Sequence, residues 1–309
     1  MNSLELFKTQ KFYQIDISIL KDLGYDVLLS NRIFDSLLFW KYDILFSYFY
    51  RYSFFAALLA KCFGKKTYFT GGIDSLDSDY ASAFNYKIQA LFFKLCYWVA
   101  DSCIIVSQSD LKNIFKVSSL KKKLSYSEHV INTKLFIADV PKEKIFTSIV
   151  WMGDEGNVVR KGVDKALQIF AELKKIPEFV DYRFVIIGRK GEGEVLVRSI
   201  IDKYNLKGSV ELKGEVSEED KINLLKQSKY YFQLSLYEGF GLAALEALCA
   251  NNIIIHSGKG GLANPIYKEQ LLFDIDNDFD SELLKLVNKL ACFTPITLSL
   301  IHISEPTRL

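Results

Sequence analysis

An alternation restricts this chain more than any other feature. Short apolar runs rich in β-branched and aromatic residues, bounded by Gly or polar residues, alternate with stretches of helical length. Val27–Leu29, Ile44–Phe46, Thr67–Phe69 and Cys103–Val106 read as strands, with helices at Ile15–Leu23, Tyr52–Phe63 and Tyr86–Ala100. The rhythm resumes downstream. Strands are predicted at Ser148–Met152, Arg183–Ile187, Val210–Leu212, Tyr230–Leu234 and Ile253–His256, and helices at Lys165–Lys174, Glu194–Tyr204, Ser217–Gln227 and Leu242–Ala250. Strands separated by helices of that length pair in parallel, because only a long crossover returns the chain to the same edge of the sheet. Pro141 and the charges around it, in KLFIADVPKEKIF, mark a linker between two such sheets. The expectation is an α/β chain of two doubly wound parallel-sheet domains, 1–142 and 143–297, in keeping with 309 residues at roughly 150 per domain.

Composition removes several function classes. Lys+Arg 39 against Asp+Glu 37 is too balanced for a dedicated nucleic-acid binder. Five Cys form no CxxC pair and there are three His, so no zinc spacing is present and no metal site is expected. The odd, scattered thiols read as reduced, which suits the cytoplasm. Met1–Lys11 holds no apolar run of the kind a leader needs. Ile44–Ala60 is apolar but short of the about 20 residues a spanning helix requires, and it carries Arg51. It reads as a buried strand and core helix, with a membrane-facing surface as the lesser alternative. Leu298–Arg308, LSLIHISEPTR, resembles an in-frame translation of a sequencing adapter. Positions 298–309 are therefore set apart from the fold argument, and the natural protein is expected to continue differently beyond Thr297.

The chemistry concentrates in Ser235–Asn251, SLYEGFGLAALEALCAN. A strand runs into a glycine-containing turn and then a helix. Glu238 stands at the end of the strand, Gly239 and Gly241 allow a ligand to approach the backbone closely, and the N–H groups of the helix opening at Leu242 favour phosphate. Glu246 lies about one turn into that helix, on the side that could face a ribose. In such sheets ligands bind beyond the carboxyl ends of the strands.

Glu238 and Glu246 flank seven residues in the context YEGFGLAALEAL. This resembles the E-x7-E motif of retaining glycosyltransferases of the GT-B fold, closest to glycosyltransferase family 4. Trp151–Ala166 resembles the first strand and helix of that family's donor domain, with Gly153 in its glycine loop and Arg160 and Lys161 as the matching basic residues. Ile186–Gly188, Val210–Gly214 and Ser257–Leu262, with Gly260 and Gly261, resemble its later turns. Ala100–Ser107 and His129–Phe136 resemble the end of its first domain, although His129 and Val130 replace Asn-Gly and Asn132 replaces Asp.

The resemblance implies two Rossmann-like domains facing a cleft, an acceptor-side domain followed by a nucleotide-sugar domain, with the present chain truncated at its C-terminus. It implies transfer of a sugar from a nucleotide-sugar donor, such as a UDP- or GDP-sugar, to a hydroxyl acceptor with retention, in surface polysaccharide or glycolipid synthesis. The acceptor would be a glycan or a lipid-linked one. Arg160 and Lys161 would hold the departing diphosphate, Glu246 the ribose, and Glu238 the sugar. Gly239, Phe240, Gly241, Leu242, Gly153, Gly188, Gly260 and Gly261 would line the donor site. No cofactor or metal is implied, and the expected location is cytoplasmic, with peripheral contact at the inner membrane face. Lys121–Lys123 is mildly consistent with that contact. Two features depart from the family. Met1–Gln14 lacks a glycine-rich loop, so Leu4–Phe7 is either a degenerate first strand or follows a late start. Thr70–Asp74 lacks a His, leaving Gly71, Gly72 and Asp74 as acceptor-side residues. The alternative is a non-catalytic GT-B-like protein that binds a sugar nucleotide or only a partner enzyme.

Overall fold

A computed structural model of the chain describes residues 4, 7, 11–71, 73–118, 121–137 and 140–292. Gly72 and the adapter-like stretch 298–309 lie outside these. Two compact units result, Met1–Val130 and Ile131–Leu309. The division precedes the expected 142/143 boundary for a packing reason. Phe136 is fully buried against Leu225, Tyr231 and Leu245, and Ile131 packs on the same cluster, so the segment before Pro141 belongs to the second core.

In the first unit, α1 (Lys11–Asp22) precedes β1 (Ile44–Tyr48), α2 (Tyr50–Cys62), β2 (Lys66–Thr70), α3 (Ala83–Val99), β3 (Ser102–Ile105), α4 (Gln108–Val117) and β4 (Leu124–Tyr126). The four strands are all parallel and lie in the order β1-β2-β3-β4. Val27–Leu29 forms no strand, and Leu4 and Phe7 are helical. Leu28, at 65% exposure, has no neighbouring strand among the described residues to cover it, so the apolar run alone did not make one. The core joins Tyr50, Phe69, Phe93, Cys96 and Cys103, with the Tyr50 and Phe69 rings stacked at 5.4 Å. α3 is capped at both ends. Ser82 Oγ accepts from Asn85 N–H at 3.3 Å, and Lys123 Nζ donates to the carbonyls of Tyr97, Trp98 and Ala100 at 3.2, 3.0 and 2.6 Å. Lys123 thus serves a helix terminus.

The second unit contains β5 (Glu143–Ile149), α5 (Glu155–Arg160), α6 (Val163–Leu173), β6 (Arg183–Ile187), α7 (Glu194–Lys203), β7 (Val210–Gly214), α8 (Glu218–Gln227), β8 (Ser228–Gln233), α9 (Leu242–Cys249), β9 (Ile253–His256), β10 (Leu271–Leu272) and α10 (Phe279–Cys292). Its six strands are parallel in the order β10-β9-β8-β5-β6-β7. β5 is placed earlier than Ser148–Met152, because the buried run from Ile145 to Thr147 lies between β6 and β8 and pairs with both. Phe146 packs between Tyr230 and Phe232 at 4.6 and 5.1 Å between ring centroids. Ser217 caps α8 by accepting from Asp220 N–H at 3.0 Å. In this order successive connections run one way from β5 through β6 to β7, then reverse to β8, β9 and β10. The reversal opens a crevice at the carboxyl ends of β5 and β8.

Candidate functional site

The segments that follow β5 and β8 are tied together at that reversal. Beyond β5 the chain turns through Trp151–Gly153, where Met152 N–H donates to Arg189 O at 2.9 Å and Gly153 O accepts from Glu192 N–H at 3.1 Å. Asp154 caps α5 by accepting from Asn157 N–H at 2.6 Å. The helix ends at Arg160, whose carbonyl accepts from Leu236 N–H at 2.8 Å. Lys161 and Gly162 then turn the chain into α6. Gly162 has φ +68°, and a Cβ there would lie 2.0 Å from Leu234 O. Only glycine lets this turn touch the backbone that follows β8.

Lys161 is thereby set beside Glu238. Its Nζ lies 2.7 Å from Glu238 Oε2, with both side chains less than a quarter exposed. The same oxygen accepts from Gln233 Nε2 at 3.2 Å and Ser235 Oγ at 3.1 Å. Gln233 Nε2 also donates to Ser235 Oγ at 2.8 Å, and Gln233 Oε1 accepts from Tyr231 O–H at 3.1 Å. The Tyr231 oxygen accepts in turn from Ile149 N–H at 3.3 Å. Burial pushes the Tyr231 hydroxyl far above its ordinary range, so it acts as a donor throughout neutral pH. A chain of polar side chains therefore runs from the end of β5 to Glu238 and fixes where that carboxylate points.

A third segment closes on the same place. Ser257 Oγ donates to Ser235 O at 2.6 Å, and Gly261 N–H donates to Glu238 O at 2.5 Å. A Cβ on Gly260, which has φ +62°, would lie 2.2 Å from Glu238 O. Gly241 precedes α9 directly, with Phe240 and Leu242 half-buried on either side of it. Gly188 N–H donates to Gly214 O at 2.8 Å and holds the ends of β6 and β7 together.

Glu246 is nearly fully buried, and its Oε2 lies 2.7 Å from Lys221 Nζ, which also pairs with Glu218 at 3.0 Å. The Arg160 guanidinium turns back to Asn157, donating from Nε at 3.2 Å and from a terminal nitrogen at 2.7 Å to its Oδ1. Lys161, Glu238, Gly239, Gly241, Gly260 and Gly261 are thus brought together, while Arg160 is held one step back on the same loop. In the first unit Gly71 follows β2 with φ +106°, and a Cβ there would lie 3.4 Å from Phe49. Asp74 opens a short 3-10 turn, Asp74–Leu76, and is not its cap.

Lys221, Gln233, Ser235 and Tyr231 were not singled out from the sequence. Three of them had a signal. Tyr231 and Gln233 share one face of β8 and Ser235 follows just beyond its end, and two polar side chains at the close of an otherwise apolar run mark a site. Lys221 had none, since it meets Glu246 only through packing of α8 beside α9. A cavity of about 500 Å³ lies close by, lined by His256, Lys259, Tyr267 and Gln270 among others and by neither Lys161 nor Glu238. His256 is buried there, and desolvation holds its imidazole down to about 4.

Comparison with known proteins bears on the family and the fold. The family described as "Glycosyl transferases group 1" matches residues 156–289. The chain is 32% identical over 144 residues to GDP-mannose:cellobiosyl-diphosphopolyprenol alpha-mannosyltransferase of Xanthomonas oryzae pv. oryzae, covering 40% of this chain and 37% of that protein. It is 30% identical over 105 residues to one component of the human phosphatidylinositol N-acetylglucosaminyltransferase, covering 34% of this chain and 21% of that protein. The chain thus spans well under half the length of these relatives. Among solved structures, Anabaena HepE in complex with UDP-glucose superposes with a TM-score of 0.66 at 13% identity, covering 89% of this chain and 79% of that one. The two parallel-sheet units are those of the GT-B glycosyltransferase fold.

Proposed function

With a second unit that carries the group 1 glycosyl transferase match, we propose that the chain transfers a sugar from a nucleotide-sugar donor to a hydroxyl acceptor with retention of anomeric configuration. The observation that carries this reading is the Lys161–Glu238 pair at 2.7 Å, set at the strand-order reversal of the second sheet. A cation and a carboxylate held together there by three loops offer what a diphosphate leaving group and a sugar need. Donor binding replaces the carboxylate as the partner of Lys161 by phosphate oxygens, with Arg160 swinging from the neutral Asn157 to add a second cation. The N–H groups at the start of α9 face the same charge. Glu238, still held by Gln233 and Ser235, is then available to sugar hydroxyls and orients the sugar without acting as a nucleophile. Glu246 accepts from the ribose, while Lys221 fixes the rotamer of its carboxylate.

Gly153, Gly188, Gly260 and Gly261 let the backbone approach the donor, and Gly71 and Asp74 serve the acceptor. The acceptor is a glycan or lipid-linked hydroxyl in surface polysaccharide or glycolipid synthesis. The matched relatives' names, which include a diphosphopolyprenol and a phosphatidylinositol glycosyltransferase, favour a lipid-linked one. The decisive experiment incubates the full chain with UDP- and GDP-sugars and polyprenyl-diphosphate acceptors. Proton NMR of the isolated product then reads the anomeric configuration. An axially linked product from an axial donor supports the reading. Inversion overturns retention. A folded chain that binds a nucleotide sugar and yields no product with any acceptor points to the non-catalytic alternative.

A further inference from the structure

The cavity of about 500 Å³ beside the candidate site is bounded by the end of β9, the loop that follows it and β10, and its size suits a small metabolite. Its wall is uneven in hydrogen-bonding character, because the acceptors are spent on the protein itself. His256 Nδ1 accepts from Gly258 N–H at 3.2 Å, Asn264 Oδ1 from Ile266 N–H at 3.0 Å and Gln270 Oε1 from Ile254 N–H at 2.9 Å. Asp274 Oδ1 accepts from Asp276 N–H at 3.1 Å, and its Oδ2 from Asn277 Nδ2 at 3.2 Å.

Donors are left over. Burial keeps His256 neutral at physiological pH, and a neutral imidazole that accepts at Nδ1 carries its proton on Nε2. His256 is 5% exposed, and its Nε2 is buried with no hydrogen-bond partner among the described residues. The Tyr267 backbone, though near enough to favour a proton on the ring, does not complete a hydrogen bond to that atom. Gln270, anchored through its oxygen, leaves its NH2 group without a partner among the described residues. Lys268 is exposed and has no ion-pair partner among them, while Lys259 pairs with Asp276 at the rim. A buried N–H without a partner costs free energy that a ligand oxygen recovers. A hydroxyl-rich ligand would bring donors of its own to a wall whose acceptors are taken. Anionic oxygens accept from several donors at once and bring none.

We propose that this cavity binds a small anion through carboxylate or phosphate oxygens, with His256 Nε2, Gln270 Nε2 and Lys268 Nζ as the donors. This goes beyond the donor-site reading and does not depend on it. The cavity shares the loop after β9 with the candidate site, through Ser257 and Leu262, but neither Lys161 nor Glu238 lines it.

Calorimetric titration of the full chain with inorganic phosphate, glycerol 3-phosphate and malonate, each without nucleotide sugar, tests this. The expected result is saturable one-to-one binding of at least one of these probes, with equal affinity in Lys161→Ala. Which of them binds tells a free phosphate, a phosphate monoester and a carboxylate apart. Binding should weaken about tenfold or more in Gln270→Glu, which keeps an acceptor for Ile254 N–H and replaces the NH2 group by a carboxylate oxygen. A similar loss is expected in Lys268→Glu at an exposed position, and circular dichroism checks the fold of both variants. In the parent chain the His256 ring resonances, assigned by their loss in His256→Gln, should shift along the same titration. Absence of saturable binding of any probe by the parent chain overturns the proposal. So does binding that Lys161→Ala abolishes and Gln270→Glu and Lys268→Glu leave unchanged, which places the anion at the candidate donor site instead. A chain that binds no nucleotide sugar fails the donor-site reading and leaves these outcomes as they stand.

Discussion

The two units are built from the same βα alternation and differ in what they place at their surfaces and strand ends. Among the described residues of the first, the strands follow one another across the sheet in chain order without a reversal. In the second, β8 crosses back to the other side of β5, and Lys161, Glu238, Gln233 and Ser235 interlock there. Exposure separates them further. Among the described residues Trp151 is the one exposed aromatic of the second unit, beside the site, whereas the first exposes aromatics along its helices and loops. Polar groups in a preorganised crevice suit a small charged ligand, and exposed apolar groups suit an extended partner. One alternation of elements therefore leaves two different surfaces, depending on strand order and on what is left uncovered.

The comparison breaks most severely at Gly162. A Cβ there has no space beside Leu234 O and φ is unfavourable, so Gly162→Ala should destabilise the second unit by about 2–4 kcal/mol. Urea unfolding should show this as a lower midpoint for the second unit, while a first unit that unfolds separately keeps its own. Next comes Lys161→Ala, which strands Glu238 among neutral donors and removes the cation that phosphate would meet. It should weaken nucleotide-sugar binding by about 2–3 kcal/mol, on the order of a hundredfold. Asp74→Asn in the first unit should leave that affinity unchanged when both are measured by calorimetry.

His256 sharpens the contrast through pH. Its folded value is held down to about 4 by burial, below the ordinary 6.5. Between the two values the unfolded chain binds more protons. The second unit should therefore keep this share of its stability above pH 6.5 and lose it progressively toward pH 4. Unfolding midpoints across this range should fall with acid, and His256→Gln should flatten the slope. The smallest effect is expected from Ser235→Ala. It removes one donor at 3.1 Å from Glu238 while Gln233 and Lys161 remain. A several-fold loss in donor affinity, about 1 kcal/mol, should register in the same titration.

Legibility in the sequence divided along the same line. In the second unit Arg183–Ile187 and Ile253–His256 form strands over the residues their composition suggested, because continuous apolar runs in a parallel sheet are buried on both faces. The turn and helix after Glu238 were readable from local glycines. The partners of Glu246 and Glu238 were less so. Lys221 is 25 positions from Glu246, and only the packing of α8 beside α9 brings them together. In the first unit Val27–Leu29 had the apolar run of a strand without a neighbouring strand to pair with. Phe136 looked like linker because its burial depends on Tyr231 and Leu245, far along the chain.

The most direct test of the central claim is calorimetric titration of the full chain with a panel of UDP- and GDP-sugars, beside Lys161→Ala and Glu238→Gln. The account predicts one-site binding of a nucleotide sugar. Lys161→Ala should weaken it about a hundredfold and Glu238→Gln less, since the amide keeps part of the hydrogen bonding. Equal affinity of the parent chain and Lys161→Ala for the same nucleotide sugar would contradict the placement of the donor at the reversal between β5 and β8.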